Sequence, residues 1–164
     1  MQKVHKKRKL GAGGAMSGKY RITTRDSITG EVIKRSDWIP NLIMAGTNTG
    51  VNLIGQRLAG LTVYDLEIDE AKIGTGTTAP ADSDTDLETV AVSGIGRADQ
   101  TVATSSVTLS FFIPDATLPN GTYTEFGIFA SSQIFARSLI SPSYTKGSNQ
   151  DTTIEYIITF DNTC

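Results

Sequence analysis

Asp82, Asp84 and Asp86 are the residues of this chain whose spacing comes nearest to a chemical site. Carboxylates at alternate positions open calcium-binding loops, because that ion takes hard oxygen ligands from one short turn. The pattern then fails. Its sixth position is Leu87 instead of glycine, and its twelfth is Ser93 instead of glutamate. The three aspartates are therefore expected to cap turns ahead of Leu87 and Glu88, with no metal. Glu67, Asp69 and Glu70 are a second carboxylate group, read as a solvated strand face because no aromatic-lined cleft accompanies them. The one histidine, His5, has no carboxylate or cysteine beside it, which argues against a histidine base or metal ligand. No serine sits in a Gly-x-Ser-x-Gly elbow. Gly74-Thr-Gly76 lacks the third glycine of a dinucleotide site and the Gly-Lys-Ser/Thr of a phosphate loop. No catalytic, cofactor or metal site is expected, and the protein is read as not an enzyme.

Charge is distributed unevenly. Lys3, Lys6, Lys7, Arg8, Lys9 and Lys19 lie in the first 19 residues with no acid among them, and the remainder carries a formal charge of −8. Residues 1–18 read as a basic, glycine-rich arm, and residues 19–164 as one domain. Three fates are open to the arm: a disordered tail, an assembly arm that orders on a neighbouring subunit, or a contact to nucleic-acid phosphates through Lys3, Lys6, Lys7, Arg8 and Lys9. It holds no Phe, Tyr or Trp for base stacking. Gly11 to Gly14 stand where a signal peptide would need an apolar run, so secretion by that route is not expected. No stretch reaches the roughly 18 apolar residues of a membrane helix, and the lone Cys164 has no internal disulfide partner.

The elements that must position these residues are mostly strands. Tyr20 to Arg25 and Glu31 to Arg35 alternate around the turn Asp26 to Gly30 and predict a hairpin. Trp38 before Pro40 is expected to anchor the core. Val51, Ile54 and Leu58, with Leu53 flanking, predict one amphipathic helix ended by Gly60 and lying across a sheet. Residues 73–87 hold two glycines, a proline, three aspartates and four threonines, an ordered turn-rich crossing. Strands are expected at 64–73, 95–102, 106–113, 122–130, 133–140 and 153–160, with a polar loop from Pro142 to Gln150. Phe111, Phe126, Phe129, Tyr156 and Phe160 are assigned to the core. The predicted fold is mainly β: an antiparallel two-sheet β-sandwich with one short amphipathic α-helix.

The order of the motifs also resembles a known class. The hairpin with Thr29-Gly30, Asn41-Leu-Ile43, the glycine-rich helix entrance, Ile73-Gly-Thr-Gly-Thr-Thr-Ala-Pro80 and Asp84-Thr-Asp-Leu87 come first. Arg97, Thr124-Glu-Phe-Gly-Ile-Phe129, Ile134-Phe-Ala-Arg137 and Lys146 follow. Over about residues 20–160 this is similar to small structural proteins of tailed bacteriophages: tail, tail-fibre, baseplate, neck or head-decoration proteins. The resemblance implies a virion building block, made in the bacterial cytoplasm, whose partners are other virion proteins and copies of itself. It implies that Glu125 to Phe129 is a core strand, and it transfers no ligand or catalytic residue. The expected function is a virion structural subunit that assembles by surface burial and through its arm. The alternatives are a capsid decoration protein or a receptor- or carbohydrate-binding module at a short fibre. Contact with phage DNA would run through the arm, and no membrane partner is expected.

Overall fold

A computed structural model describes residues 16–160. Lys3, Lys6, Lys7, Arg8 and Lys9 of the arm, together with His5 and Cys164, lie outside the described residues. The elements in chain order are β1 (Met16–Asp26), β2 (Val32–Arg35), β3 (Ile39–Ile43), α1 (Gly50–Leu58), β4 (Ile68–Gly74) and β5 (Val90–Val102), then β6 (Ser106–Ile113), β7 (Gly121–Ala130), β8 (Gln133–Lys146) and β9 (Gln150–Phe160). β1 starts at Met16, so residues 16–18, counted with the arm from the sequence, pair with β9.

The strands do not form a two-sheet sandwich. They run in the order β1–β3–β8–β7–β4–β5–β6–β9, and β9 pairs again with β1 from Met16 opposite Phe160 to Asp26 opposite Gln150. The result is a closed, eight-stranded antiparallel barrel, with β2 added beside the far half of β1. The sandwich expectation failed for a definite reason. Alternation tells which side of each strand is apolar, but closure depends on whether the first and last strands meet, and both architectures bury the same alternate residues. Irregularities supply the curvature: the register shifts at a bulge in β5 between Arg97 and Asp99, and in β8 between Leu139 and Tyr144, opposite Glu125 and Tyr123.

The middle of the barrel is filled by side chains. Tyr20, Phe111, Phe126 and Tyr156 are fully buried, with the Tyr20 and Phe126 rings 4.9 Å apart. Ile73, Ile113, Ile128 and Ile154 fill the space around them. Phe129 is also fully buried, but beneath the outer side of the wall with Met44 and Ile134. The wall at β7 is therefore covered on both sides, which explains why it reads as a nearly continuous apolar run.

Four local expectations are corrected. The polar loop from Pro142 is largely strand, since β8 continues to Lys146. Pro142 is tolerated because it falls where the β7–β8 register jumps, between the pairs Glu125–Leu139 and Tyr123–Tyr144. Trp38 is not a core anchor. It is half-buried on the barrel exterior, with the Arg21 guanidinium 4.6 Å and the Lys19 ammonium 5.1 Å from its ring. The helix presents Leu53 to the core, while Val51 and Leu58 of the predicted stripe are 49% and 85% exposed. Gly60, at φ +79°, does end it, but Phe160 is 44% exposed. No helix among the described residues is long and apolar enough to cross a membrane.

Burial sets the cost of truncation. Phe129→Ala is expected to lower unfolding free energy by about 3–5 kcal/mol. Val63→Ala, at a position 76% exposed, should change it by less than about 0.5 kcal/mol. Denaturant titration of both variants checks this, and similar costs at the two positions would contradict the packing described.

Candidate functional site

Glu125 and Arg137 lie on neighbouring strands β7 and β8, with side chains on the outer side of the wall, opposite Phe126. Neither would survive there alone, because a buried charge must be paired and hydrogen-bonded. Both are. Arg137 donates from Nε and Nη2 to Glu125 Oε2 at 3.1 and 2.9 Å. Its Nη1 donates to Asp84, and Nη2 also reaches the carbonyl of Thr78 at 3.1 Å. Glu125 accepts the backbone N–H groups of Gly76, Glu88 and Thr89 at 2.9, 3.0 and 2.7 Å. The crossing at 75–89 is thus folded around one carboxylate and one guanidinium.

Its glycines follow from that approach. A Cβ on Gly76 would lie 2.5 Å from Glu125 Oε1, and one on Gly74 would lie 2.3 Å from the Thr89 carbonyl oxygen. Thr124 tightens the same turn by donating its hydroxyl to the Gly76 carbonyl at 2.7 Å. Glu88 accepts the N–H groups of Thr77 and Thr78, each at 2.7 Å, and the Thr78 hydroxyl at 2.8 Å. Those donors, the Thr78 amide foremost, hold the Glu88 carboxyl below its ordinary pKa, with a smaller contribution from Arg137. Burial works to lower the Arg137 pKa, but hydrogen bonds and charge from Asp84 and Glu125 outweigh it and leave the guanidinium raised.

The three alternate aspartates do not converge. Asp82 accepts the Ala45 N–H at 3.0 Å, Asp84 takes Arg137 and the Ala81 N–H, and Asp86 takes the Lys72 ammonium at 2.9 Å. Each fastens the crossing to a different part of the barrel. No group of three or more metal-ligating side chains is assembled among the described residues. Glu67, Asp69 and Glu70 likewise diverge: Glu67 pairs with Arg97, Glu70 accepts the Gly94 N–H at 2.8 Å, and Asp69 faces solvent.

A second charged cluster, unforeseen as a partnership, closes the opposite end of β8. The Lys146 ammonium is buried and spends its three donors on Asp115, Asn120 Oδ1 at 3.1 Å and the Gly147 carbonyl at 3.2 Å. The Lys146 hydrogen bond, then the Gln150 amide, pull the Asp115 pKa down. Both clusters had a signal in the sequence. Glu125 and Arg137 each interrupt an apolar run, and a hairpin turning at Ser131-Ser132 brings them to nearly opposite positions. A catalytic acid or base needs a lone pair or proton free for a substrate. Here those of Glu125, Arg137 and Lys146 are committed to the protein, so both clusters act as clamps.

One concave surface, of about 380 Å³, lies at the clamp itself, lined by Thr78, Asp84, Glu88 and Arg137 among others, and further ones lie elsewhere. A cleft of about 320 Å³ runs beside Trp38, Lys34 and Arg35 to the Ile140–Tyr144 stretch of β8. An apolar hollow of about 360 Å³ occupies the barrel end where Met16 and Phe160 meet. No protein family, curated protein or solved structure matches the chain.

Arg137→Ala should lower stability by about 3–5 kcal/mol, because it strands the buried Glu125 carboxylate. Hydrogen exchange should then quicken first at the amides of Gly76, Glu88 and Thr89, and unchanged protection there would contradict the clamp. Acid should act on Glu88 and Asp115. Their folded pKa values lie below the unfolded ones of about 4, so their contribution is complete above that pH and is lost as pH falls through the folded values. Calorimetry should show a midpoint falling below about pH 4, with a shallower fall in Asp115→Asn.

Proposed function

We propose that this protein is a structural subunit of a tailed-bacteriophage particle, a barrel that assembles by burying surface and through its basic arm, with no catalytic activity. The observation that carries the assembly role is the stripe Val51, Ile54 and Leu58. It has the spacing of a buried helix face, yet Leu58 is 85% and Val51 49% exposed in the isolated chain. Apolar side chains left open among the described residues support a cover beyond those residues, and assembly would supply one. The motif order from Tyr20 to Lys146 supports the virion as its setting. The committed hydrogen bonds of Glu125, Arg137 and Lys146 support a role without catalysis.

A receptor- or carbohydrate-binding role is the second reading, favoured by the exterior cleft in which Trp38 stands among Lys19, Arg21, Lys34 and Arg35. Trp38 is the chain's one tryptophan, so saccharide binding there would alter its emission directly.

Removing residues 1–15 leaves β1 whole and should leave the thermal midpoint unchanged while abolishing incorporation into particles. Immunoblots of purified virions test this, and normal incorporation of the truncated chain would overturn the role of the arm.

A further inference from the structure

The cations of the barrel are unevenly compensated. Lys72, Arg97, Arg137 and Lys146 each pair with a carboxylate. On the β1–β2 hairpin the balance changes. Of Arg21, Arg25, Lys34 and Arg35, only Arg21 has an acidic partner among the described residues, Glu155. Asp151 stands opposite Arg25, but its carboxylate accepts the Asp115 N–H at 2.8 Å and pairs with no arginine.

Three of these arginines meet in one place. Ile22 and Thr24 of β1 are buried on the inner side, so Arg21, Thr23 and Arg25 project from the outer face of the strand. Arg35 of β2 and Thr153 of β9 stand opposite Thr23 on either side, and Glu155 stands opposite Arg21. With Ser110 of β6 these residues line a polar hollow of about 190 Å³. Three guanidinium groups against one carboxylate leave it a clear excess of positive charge.

The donors around this hollow are largely uncommitted. A guanidinium carries five N–H groups. Among the described residues Arg21 uses Nε on Glu155, Arg25 uses Nη1 on the Gly30 carbonyl at 3.1 Å, and Arg35 uses Nε on the Thr23 hydroxyl at 3.2 Å. Arg137, by contrast, spends Nε, Nη1 and Nη2 on the protein. The hydroxyls of Thr23, Ser110 and Thr153 add further donors at the hollow. Residues 1–15 carry five cations and no acid, so the hollow repels them. Asp161 follows Phe160, which lies about 23 Å along β9 from Thr153, beyond the reach of its side chain.

We propose that this hollow binds a tetrahedral oxyanion, the phosphate or sulfate group of a small ligand, with Arg21, Arg25 and Arg35 as its charged donors. Guanidinium forks match such groups bidentately. Donors arriving from β1, β2, β6 and β9 suit a group with oxygens in several directions better than a planar carboxylate. The site is independent of the virion role and shares only Arg35 with the Trp38 cleft. Arg21 lies 4.6 Å from the Trp38 ring, so a ligand that engages it is reported by the chain's one tryptophan.

The test is calorimetric titration of the full-length chain with inorganic phosphate at fixed ionic strength, chloride balancing the added salt. Saturable one-to-one binding is expected, with sulfate competing and Trp38 emission changing in step. Arg25→Gln and Arg35→Gln should retain the parent circular dichroism spectrum and weaken binding roughly 10–100-fold, as loss of charge-assisted hydrogen bonds does. Arg35→Lys should weaken it as well, because lysine keeps the charge and loses the fork. Lys34→Gln, which lines only the Trp38 cleft, should bind phosphate nearly as the parent chain does. Glucose 6-phosphate distinguishes the source: equal affinity assigns the site to the bare group, and tighter binding assigns it to a phosphorylated saccharide, both resting on the same three arginines. Absence of saturable binding, or parental affinity in Arg25→Gln or Arg35→Lys, would overturn the site. Tighter binding in Asp161→Asn would make the chain's own carboxylate the occupant and overturn it too.

Discussion

The ion pair between Glu125 and Arg137 is the constraint on which the outer wall of the barrel depends. Desolvating a carboxylate and a guanidinium costs several kcal/mol per ion, and attraction between them offsets that only when the remaining hydrogen-bonding capacity is filled. The loop at 75–89 fills it, with three backbone amides on Glu125 and the Asp84 carboxylate and Thr78 carbonyl on Arg137. The dependence runs both ways. The loop has almost no apolar residue to hold it except Leu87, which is buried against Gly127. Charges that would be a liability in a bare wall thus become the means of ordering a long connection.

Barrel closure is the second constraint. Because β1 pairs with β9 along its whole length, the first and last strands shield each other's edges. Closure also brings both described chain ends to one rim. The Lys146–Asp115 cluster lies at the far end of β8, and the rim with Met16 and Phe160 keeps an apolar hollow beside Ile54 of α1.

Much of the secondary structure was legible. The Asp26–Gly30 turn, the helix stopped by Gly60, and the strands at 106–113, 122–130 and 133–140 appear where local pattern places them. Errors arose where pattern has no power to decide. Trp38 is as apolar as a core residue, but its indole is worth more beside Arg21 and Lys19 than the sequence shows. The stripe Val51–Ile54–Leu58 has helical periodicity, yet periodicity does not say whether its cover comes from the same chain. For the clamp, the glycines, aspartates and threonines of 73–87 marked an ordered crossing, while the residue that orders it, Glu125, lies 36 positions or more from the amides it receives.

The sequence by itself determined the mainly β character, the single helix, the turn-rich crossing and the separation of a basic arm from an acidic body, because propensity, periodicity and charge are local properties. Only the tertiary structure decided that the sheet closes, that Glu125 and Arg137 organise the crossing, that the three aspartates part company, and that an apolar hollow opens beside Met16. Each of those depends on which distant residues meet. Alternating strands carry the same pattern whether they curl into a barrel or split into two sheets, and a buried charge reveals its purpose only when its partner is in place.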